Sequence, residues 1–450
     1  MADPSRDLPS TADARAGEPP ARRHTRLDSY VEAYAARTQG MKASEIRALF
    51  AVASRPEVVS LAGGMPNISG LPIDAVAETL GTLVREQGAT AMQYSSGQGD
   101  PALREHICDV MALEGISAHP DDVVVTVGSQ QGLDLVTRIF CDPGDVVICE
   151  APSYVGALGV FSAYECDVVH VEMDADGLVP EALTQAIATV RAAGKRAKFL
   201  YTIPNHHNPA GVTLSAERRR RITKICIDAD LLIVEDNPYG LLGFDADPIP
   251  AMRAHESERI VYLGSFSKTF APGFRVGWAL APHAVREKLV LAQESATLCP
   301  PTFSQLALQS YLTQHDWHSQ VKDFTEMYRE RRDAMLSALE ELMPAGSTWT
   351  HPGGGFYVWV TLPEGLDAKA MLPRAVTARV AYVPGTAFYA DGFGSRCMRL
   401  SYCYPTPDRI KEGVRRLAEV INAELELRET FGATRSALPR GYEGPNPDLT

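Results

Sequence analysis

Seven short apolar segments constrain the fold of this chain more than any other feature of its sequence. In chain order they are Val123–Val127, Val146–Cys149, Val168–Val171, Phe199–Ile203, Leu231–Val234, Ile260–Leu263 and Val276–Ala281. All but the last two are separated by about 20 residues or more, which leaves room for helical crossovers and therefore permits parallel pairing. The gap before the seventh segment is too short for a crossover, so that strand should run antiparallel. The pattern predicts an α/β fold with a mostly parallel seven-stranded sheet and one reversed strand.

A smaller α/β domain is predicted after this sheet. Between residues 303 and 342, apolar side chains including Val321, Phe324 and Tyr328 repeat at near-heptad spacing with charges between them. This spacing is typical of a long helix, here one that links two domains. Further apolar runs and one more helical pattern follow, at Phe356–Val360, Val380–Val383, Met398–Ser401 and near Arg409–Glu424.

Changes in composition divide the chain into five parts. Residues 1–28 are rich in Pro, Ala, Arg and Asp and lack apolar periodicity, which predicts a disordered leader. The other predicted parts are an amino-terminal arm over the active site at 29–70, a large domain at 71–315, a small domain at 316–428 that begins within the long linking helix, and a flexible tail at 429–450.

Charge and cysteine content exclude several classes of protein. The formal net charge of −13 argues against a surface for nucleic acid or anionic membrane, because binding phosphates requires clustered Lys and Arg. No apolar run approaches the roughly 20 residues that a membrane-spanning helix needs. Eight cysteines without a CxxC pair, and no secretory signal, predict reduced thiols in a cytoplasmic protein without a zinc or other metal site.

Lys268 lies in the short turn before the reversed strand, close to two other residues that could bind an anion. Ser265 precedes it by three residues and Arg275 follows it by seven, so a hydroxyl, an amine and a guanidinium can face one anion from two adjacent strand ends. A solvated loop lysine is the alternative. The combination suits a phosphate-bearing aldehyde cofactor, with the lysine forming a Schiff base and Ser265 and Arg275 holding the phosphate.

The stretch from Ser265 to Trp278, S-F-S-K-x-x-x-P-G-x-R-x-G-W, resembles the lysine signature of the pyridoxal 5′-phosphate (PLP) dependent class I and II aminotransferases of fold type I. Further similarity covers roughly residues 40–425. The resemblance implies a large PLP-binding domain, a small domain, and Lys268 as the cofactor-binding lysine and general base.

Two further motifs then acquire roles by the resemblance. Asp236 ends a predicted strand, where open α/β sheets hold ligands, and would keep the pyridine nitrogen protonated, while Tyr239 would donate to the ring oxygen. Residues 204–211 resemble P-N-x-x-N-P-T-G, with Ala210 in place of Thr, so Asn208 would bond the ring hydroxyl. The alternatives are a loop-starting Asp and plain turn chemistry.

The phosphate end has its own candidates. Gly128–Gly132 closes the first strand and opens a helix, where free N–H groups and the helix dipole form an anion site. The resemblance implies that Ser129 and Gln130 contact the phosphate and that Tyr154 stacks on the pyridine ring; an N-cap Ser and a core aromatic are the alternatives. It also implies that Tyr94 reaches the phosphate of the neighbouring subunit, which predicts a homodimer with shared active sites.

Two arginines and a glycine are candidates for binding the substrate. Arg399 matches the family position that pairs with the α-carboxylate, and Asn208 lies at the substrate as well. Ala43–Arg47 and Ser60–Asn67 resemble the amino-terminal signature of the 2-aminoadipate and kynurenine aminotransferase subgroup. There Arg47 would meet the substrate side chain, and Gly64 would bring its backbone to the substrate.

The predicted reaction is ping-pong transfer of an amino group between an L-amino acid, of 2-aminoadipate, aromatic or branched-chain type, and 2-oxoglutarate. Amino acids and 2-oxo acids are the expected small-molecule partners. A PLP-dependent lyase or decarboxylase of the same fold could use the same residues. A transcriptional regulator with an aminotransferase-like domain is disfavoured, because the chain has about 40 residues before its core, no helix-turn-helix pattern and a strongly acidic balance.

Overall fold

The computed structural model describes residue 30, residues 32–40 and residues 55–436, without the side chains of residues 39 and 431–436. The predicted leader at 1–28, the Ala43–Arg47 segment and residues 437–450 lie outside these described residues. In the part of the chain that is described, every helix is too short or too polar to cross a lipid bilayer.

The strands, in chain order, are β1 (Val59–Ser60), β2 (Val123–Thr126), β3 (Val146–Ala151), β4 (Asp167–Asp174), β5 (Gly177–Leu178), β6 (Ala197–Thr202), β7 (Leu232–Asp236), β8 (Ile260–Ser265), β9 (Gly277–Leu280), β10 (Thr348–Trp349), β11 (Tyr357–Thr361), β12 (Val380–Ala381), β13 (Val383–Pro384) and β14 (Cys397–Ser401). The α-helices of the described residues are α1 (Ile73–Ala91), α2 (Pro101–Ala112), α3 (Ser129–Phe140), α4 (Val155–Ala163), α5 (Pro180–Ala192), α6 (Ala216–Asp228), α7 (His283–Thr297), α8 (Thr302–Gln314), α9 (Trp317–Leu342), α10 (Ala368–Thr377) and α11 (Pro407–Ser436).

The main sheet has eight strands in the order β2-β9-β8-β7-β6-β3-β4-β5. Strand β9 pairs antiparallel with both β2 and β8, while β3, β4, β6, β7 and β8 are parallel, so the predicted sheet and its reversed strand are confirmed. The eighth strand is β5, a two-residue piece that folds back on β4 at the edge of the sheet. It is too short to produce an apolar pattern, which explains why the sequence predicted seven strands.

The central strands are buried on both faces because helices cover both faces of the sheet. Phe199, Leu200 and Tyr201 of β6 are fully buried, although successive side chains point to opposite faces. Since β2 runs in the same direction as the parallel strands, its carboxyl end lies at the same edge as those of β7 and β8. That edge therefore gathers the residues that follow three separate strands.

The smaller sheet, in the order β10-β11-β14-β13, is antiparallel. Strand β1 of the predicted arm pairs with β12, which joins the arm to this part of the chain. The predicted single helix over residues 303–342 is wrong, because α8 ends at Gln314 and α9 begins at Trp317. Asp316 separates them: its side chain accepts from the backbone N–H of Ser319 at 3.0 Å and so caps a new helix.

The last helix continues past the predicted boundary at residue 428, through Ser436. Leu, Glu and Arg, all good helix formers, fill the segment before Gly432, so the helix has no reason to stop at the boundary. The first residues of the predicted tail are thus helical. The division of the chain into a large and a small domain remains a prediction.

Candidate active site

A cavity of about 480 Å³ lies at the carboxyl edge of the main sheet. It gathers most of the predicted site residues: Gly64, Ser129, Gln130, Tyr154, Asn208, Asp236, Tyr239, Ser265, Lys268, Arg275 and Arg399. Tyr94 is not among its lining residues; this side chain is 75% exposed and lies beside a different cavity, with Asp100 and Leu306. Arg47 lies outside the described residues.

Lys268 follows β8 and reaches into this cavity. Its Nζ donates to the carbonyl oxygen of Gly64 at 2.9 Å and lies 5.5 Å from the ring centroid of Phe356. Burial, together with the positive charges of Arg399 and Arg275, lowers the pKa of the Lys268 ammonium to about 8. A substantial fraction of the amine is therefore neutral near physiological pH, as a nucleophile or a general base requires.

Asp236 is the last residue of β7, and its carboxylate has one oxygen satisfied and one without a partner. Oδ2 accepts from the hydroxyl of Tyr201 at 2.8 Å, whereas Oδ1 is buried and has no hydrogen-bond partner among the described residues. Burial, opposed by the bond from Tyr201 and aided by the charge of Glu150, raises the pKa of Asp236 to about 6. A buried, unpaired carboxylate oxygen is costly. The protonated ring nitrogen of PLP is a donor that fits it.

The phosphate end of the cavity combines a helix start with three side chains. Helix α3 begins at Ser129, so its free N–H groups face this end. Arg275 donates from Nη2 to the carbonyl oxygen of Val127 at 3.0 Å, and its Nη1 lies 3.5 Å from Ser267 Oγ. Ser265 Oγ lies 2.9 Å from Ser267 Oγ. Hydroxyls, a guanidinium and backbone N–H groups thus converge as an anion requires.

Ser267 was not among the predicted site residues, although it lines the cavity. A signal for it was present: it is the second serine of the Ser-x-Ser-Lys turn, directly before Lys268.

Another part of the cavity wall is formed by Gln130 and Tyr154. The Tyr154 hydroxyl donates to Gln130 Oε1 at 3.2 Å, and Gln130 Nε2 donates to the carbonyl of Gly156 at 3.0 Å.

Gly277 permits the close approach of β9 to the start of α3, and this gives a direct test of the phosphate site. A Cβ at Gly277 would lie 2.6 Å from the carbonyl carbon of Gly128 and from the backbone nitrogen of Ser129. Because both atoms belong to the backbone, neither can move cheaply. We expect Gly277→Ala to weaken PLP binding by about 10- to 100-fold, measured by absorbance titration of the cofactor-free protein.

Gly273 is the matched control, since it lies in the same turn and a Cβ there would meet nothing within 4 Å. Gly273→Ala should bind PLP like the wild-type protein. Equal affinities of the two variants would show that the approach of β9 to α3 does not shape the phosphate site.

Arg399 on β14 enters the cavity from the smaller sheet and is 2% exposed. Its Nη1 donates to Asn208 Oδ1 at 2.9 Å and its Nη2 to the carbonyl of Ala62 at 2.7 Å, while its Nε is buried without a partner among the described residues. The ring centroid of Tyr357 lies 4.2 Å from its Cζ. The guanidinium is thus held in one orientation and keeps N–H groups for a carboxylate.

Gly64 was predicted to avoid a collision with substrate. The group that an added Cβ would overlap is in fact part of the chain, the hydroxyl of Tyr357. The backbone of Gly64 is in use as well, because its carbonyl accepts from Lys268. The absence of a side chain therefore makes room for Tyr357 in the wall of the cavity.

Glu114 is a buried carboxyl behind the turn that carries Asp236. Its Oε1 accepts from the Asn237 side-chain amide at 2.6 Å and its Oε2 from the Tyr262 hydroxyl at 2.9 Å. Asn237 directly follows Asp236, so this network fixes the end of β7 from the side away from the cavity. Sequence reasoning missed Glu114 because it follows α2, far along the chain, and no local motif marks it.

The ionisation of Glu114 predicts a specific pH dependence of stability. Burial raises its pKa from an ordinary value of 4.5 to about 7, and the charge of Glu235 adds to the rise. Below the pKa of the unfolded chain the carboxyl is protonated in both the folded and the unfolded protein, and its full contribution to the free energy of unfolding is present. As pH rises through the folded pKa the folded protein must bury a charge, so stability is lost.

Glu114→Gln should remove this loss. Relative to wild type, its free energy of unfolding should rise by about 2–3 kcal/mol between about pH 5 and about pH 8. Urea unfolding of both proteins at the two pH values measures the difference. A constant difference across that range would mean that Glu114 does not titrate there.

The chain is similar to known proteins of one family. The family model for aminotransferase class I and II matches residues 56–417. Aromatic-amino-acid aminotransferase 1 of Thermococcus litoralis is 42% identical over 400 residues, which are 88% of this chain and 96% of that protein. 2-Aminoadipate transaminase of Thermus thermophilus is 36% identical over 403 residues, 89% of this chain and 99% of that protein.

A solved structure extends the similarity to three dimensions. The kynurenine aminotransferase of Pyrococcus horikoshii, in complex with PMP, is 39% identical and superposes with a TM-score of 0.85, covering 89% of this chain and 100% of that one. Its fold is the one described above. With the family model matched over most of its length and a cavity whose donors and acceptors fit PLP, the chain belongs to the class I and II aminotransferases, PLP-dependent transferases of fold type I.

Proposed function

We propose that this enzyme transfers the amino group of an L-amino acid of 2-aminoadipate, aromatic or branched-chain type to 2-oxoglutarate by a ping-pong mechanism. The observation that carries the proposal is the convergence of Lys268, Asp236 and Arg399 on one cavity. An amine with a lowered pKa, a carboxylate with one unpaired oxygen and a guanidinium with spare N–H groups are what transamination needs. The relatives named for aromatic amino acids and 2-aminoadipate support the choice of side chains.

Each part of the cofactor has proposed partners in the cavity. Asp236 would bond the ring nitrogen, Asn208 and Tyr239 the ring oxygen, Tyr154 would stack on the ring, and Ser129, Gln130, Ser265 and Arg275 would hold the phosphate. Asn208 uses Oδ1 for Arg399, which leaves its amide nitrogen for the ring oxygen. When bound, PLP supplies an electron-withdrawing ring that stabilises negative charge at the substrate α-carbon.

The remaining work falls to side chains of this chain. Arg399 binds and orients the α-carboxylate, so that the α-carbon lies within reach of Lys268. Lys268, neutral in part because burial lowers its pKa, would take the α-proton onto Nζ and hold it beside the bound cofactor. Walls of buried aromatic side chains, Tyr239 and Tyr357 among them, keep water from competing for that proton.

A half-reaction tests this function against a lyase or decarboxylase. Protein loaded with PLP and mixed with glutamate, without any 2-oxo acid, should be converted to the pyridoxamine phosphate form and should release 2-oxoglutarate in equal amount. Release of ammonia or carbon dioxide with the cofactor unchanged would contradict transamination. A panel of amino donors with 2-oxoglutarate would then identify the preferred side chain.

Arg47 remains a proposed contact for a second substrate carboxylate, supported by its match to the subgroup signature. Arg47→Gln should raise KM for glutamate much more than KM for leucine. Equal effects on both substrates would remove Arg47 from the substrate site.

The cytoplasmic location predicted from the cysteine content likewise remains a prediction.

The proposed homodimer is supported by an exposed apolar surface around Tyr94. Met92 is 72%, Tyr94 75% and Phe303 37% exposed, and Tyr94 and Thr302 line one cavity. Exposed apolar side chains in a group are typical of protein interfaces. Tyr94 is absent from the lining of its own chain's active site, as a residue that serves a neighbouring subunit would be.

Mixed dimers test whether the site is shared. A Tyr94→Ala protein and a Lys268→Ala protein, each poorly active alone, are denatured together and refolded. If Tyr94 serves the partner's site, every hybrid holds one intact site, and random pairing should restore about one quarter of the wild-type activity. If Tyr94 serves its own chain, no intact site can form and activity will not return.

A further inference from the structure

The side chain of Tyr357 occupies a position in the active-site cavity that the exclusion of water does not by itself explain. It is the first residue of β11, is 2% exposed and lines the cavity. Its hydroxyl lies 3.4 Å from the hydroxyl of Tyr239, which donates to it. It also occupies the space that a side chain at residue 64 would need. The backbone at Gly64 therefore accommodates this one hydroxyl.

The ring of Tyr357 makes a second functional contact. The Cζ atom of Arg399 lies 4.2 Å from its centroid, so the guanidinium stacks on the ring face, a geometry in which a cation is stabilised by the ring quadrupole. The ring of Phe388 lies 5.1 Å from the same Cζ. One side chain thus contacts both the tyrosine assigned to the ring oxygen of PLP and the arginine assigned to the substrate carboxylate.

We propose that Tyr357 is a positioning residue that acts on both of these neighbours, an inference that rests on the proposed function. Its hydroxyl donates to Tyr239 once Tyr239 donates to the ring oxygen of the cofactor, and its ring holds Arg399 in the plane that receives the α-carboxylate. The two effects come from different parts of one side chain, so they can be separated by substitution.

Two adjacent phenols can reverse the direction of the hydrogen bond between them. A phenol has one donor and can also accept, so Tyr239 cannot donate to Tyr357 and to a cofactor oxygen at once. When the cofactor oxygen accepts from Tyr239, the Tyr357 proton is free to rotate toward Tyr239. Burial raises the pKa of both phenols, so both keep their protons. A chain of two hydrogen bonds polarises its members and strengthens the bond to the cofactor.

Tyr357→Phe isolates the hydroxyl, because it keeps the ring. Without the Tyr357 hydroxyl, the bond from Tyr239 to the cofactor ring oxygen should be weaker and should stabilise the deprotonated form of the bound cofactor less. The pH at which the absorbance of the bound cofactor changes should therefore rise by roughly 0.3–1 pH unit. Tyr382→Phe is the matched control: its buried hydroxyl donates to the Ala368 carbonyl at 2.6 Å, away from the cavity. It should leave that transition unchanged. No shift in Tyr357→Phe, or an equal shift in the control, would overturn the role of the hydroxyl.

Tyr357→Leu isolates the ring by removing it. The dissociation constant of 4-methylpentanoate, which carries a carboxylate but no amine and cannot react, should rise by at least about fivefold in Tyr357→Leu and stay within about twofold of wild type in Tyr357→Phe. Unchanged affinity in Tyr357→Leu would overturn the role of the ring. Wild-type protein that fails to convert glutamate would instead contradict the proposed function, so the two failures are distinguishable.

Discussion

Lys268→Ala should lose at least about 10⁴-fold in transaminase turnover, because one substitution removes both the attachment point of PLP and the general base. Among the described residues the buried amine donates to the Gly64 carbonyl and lies over the face of Phe356, so its loss removes little packing and the fold should persist. Circular dichroism should match wild type. The visible absorbance of the attached cofactor should disappear, and steady-state assays with glutamate measure the loss of turnover.

Lys224→Ala controls for the loss of a lysine as such, since Lys224 is a largely exposed helix residue that pairs with Asp228. It should retain full turnover and colour. Removal of a general base lowers turnover far more than tenfold. If Lys268→Ala kept as much as about a tenth of wild-type activity, the assignment of Lys268 would be wrong.

Asp236→Asn should lower kcat by about 10²- to 10³-fold while the protein still binds PLP. An amide cannot stabilise a positive charge on the ring nitrogen, so the bound cofactor withdraws electrons less strongly as the α-proton leaves. The amide can still accept from Tyr201, which bonds Asp236 Oδ2 at 2.8 Å, so the local structure should be retained. Steady-state kinetics and a PLP titration on the same preparation separate turnover from binding.

Asp228→Asn provides the same change at an exposed site, where the carboxylate pairs with Lys224. It should leave kcat and PLP affinity unaltered. If Asp236→Asn lost PLP binding and stability together while surviving molecules turned over at the wild-type rate, Asp236 would serve the fold rather than the chemistry.

Local sequence patterns were sufficient to predict those cavity residues that lie at the end of a strand. Asp236 and Ser265 are the final residues of adjacent parallel strands, and their register, with Asp236 opposite Leu263, brings them to one edge. The reversed strand β9 follows from the shortness of the Lys268 turn. These predictions depend only on segment spacing and on the direction that spacing permits.

Other features depend on partners that are distant in the chain. The break at Asp316 is local by contrast, because its side chain caps a new helix at Ser319, a signal that apolar periodicity alone does not contain. Burial among segments distant in the chain raises the pKa of Glu114, against the lowering effect of its hydrogen bonds from Asn237 and Tyr262. Neither apolar spacing nor a motif contains that information.

The sequence by itself determined the sheet and its reversed strand, since segment spacing is a local property, and its motifs, through the family resemblance, predicted most of the residues that line the cavity. Only the tertiary structure decided that Arg399 is held between Asn208 and the ring of Tyr357, and that the Tyr357 hydroxyl meets Tyr239. The bonds from Arg399 to Asn208 and from Tyr239 to Tyr357 join residues more than a hundred positions apart, and Arg399 meets the Tyr357 ring because β11 and β14 pair in the smaller sheet, so no local pattern contains these contacts.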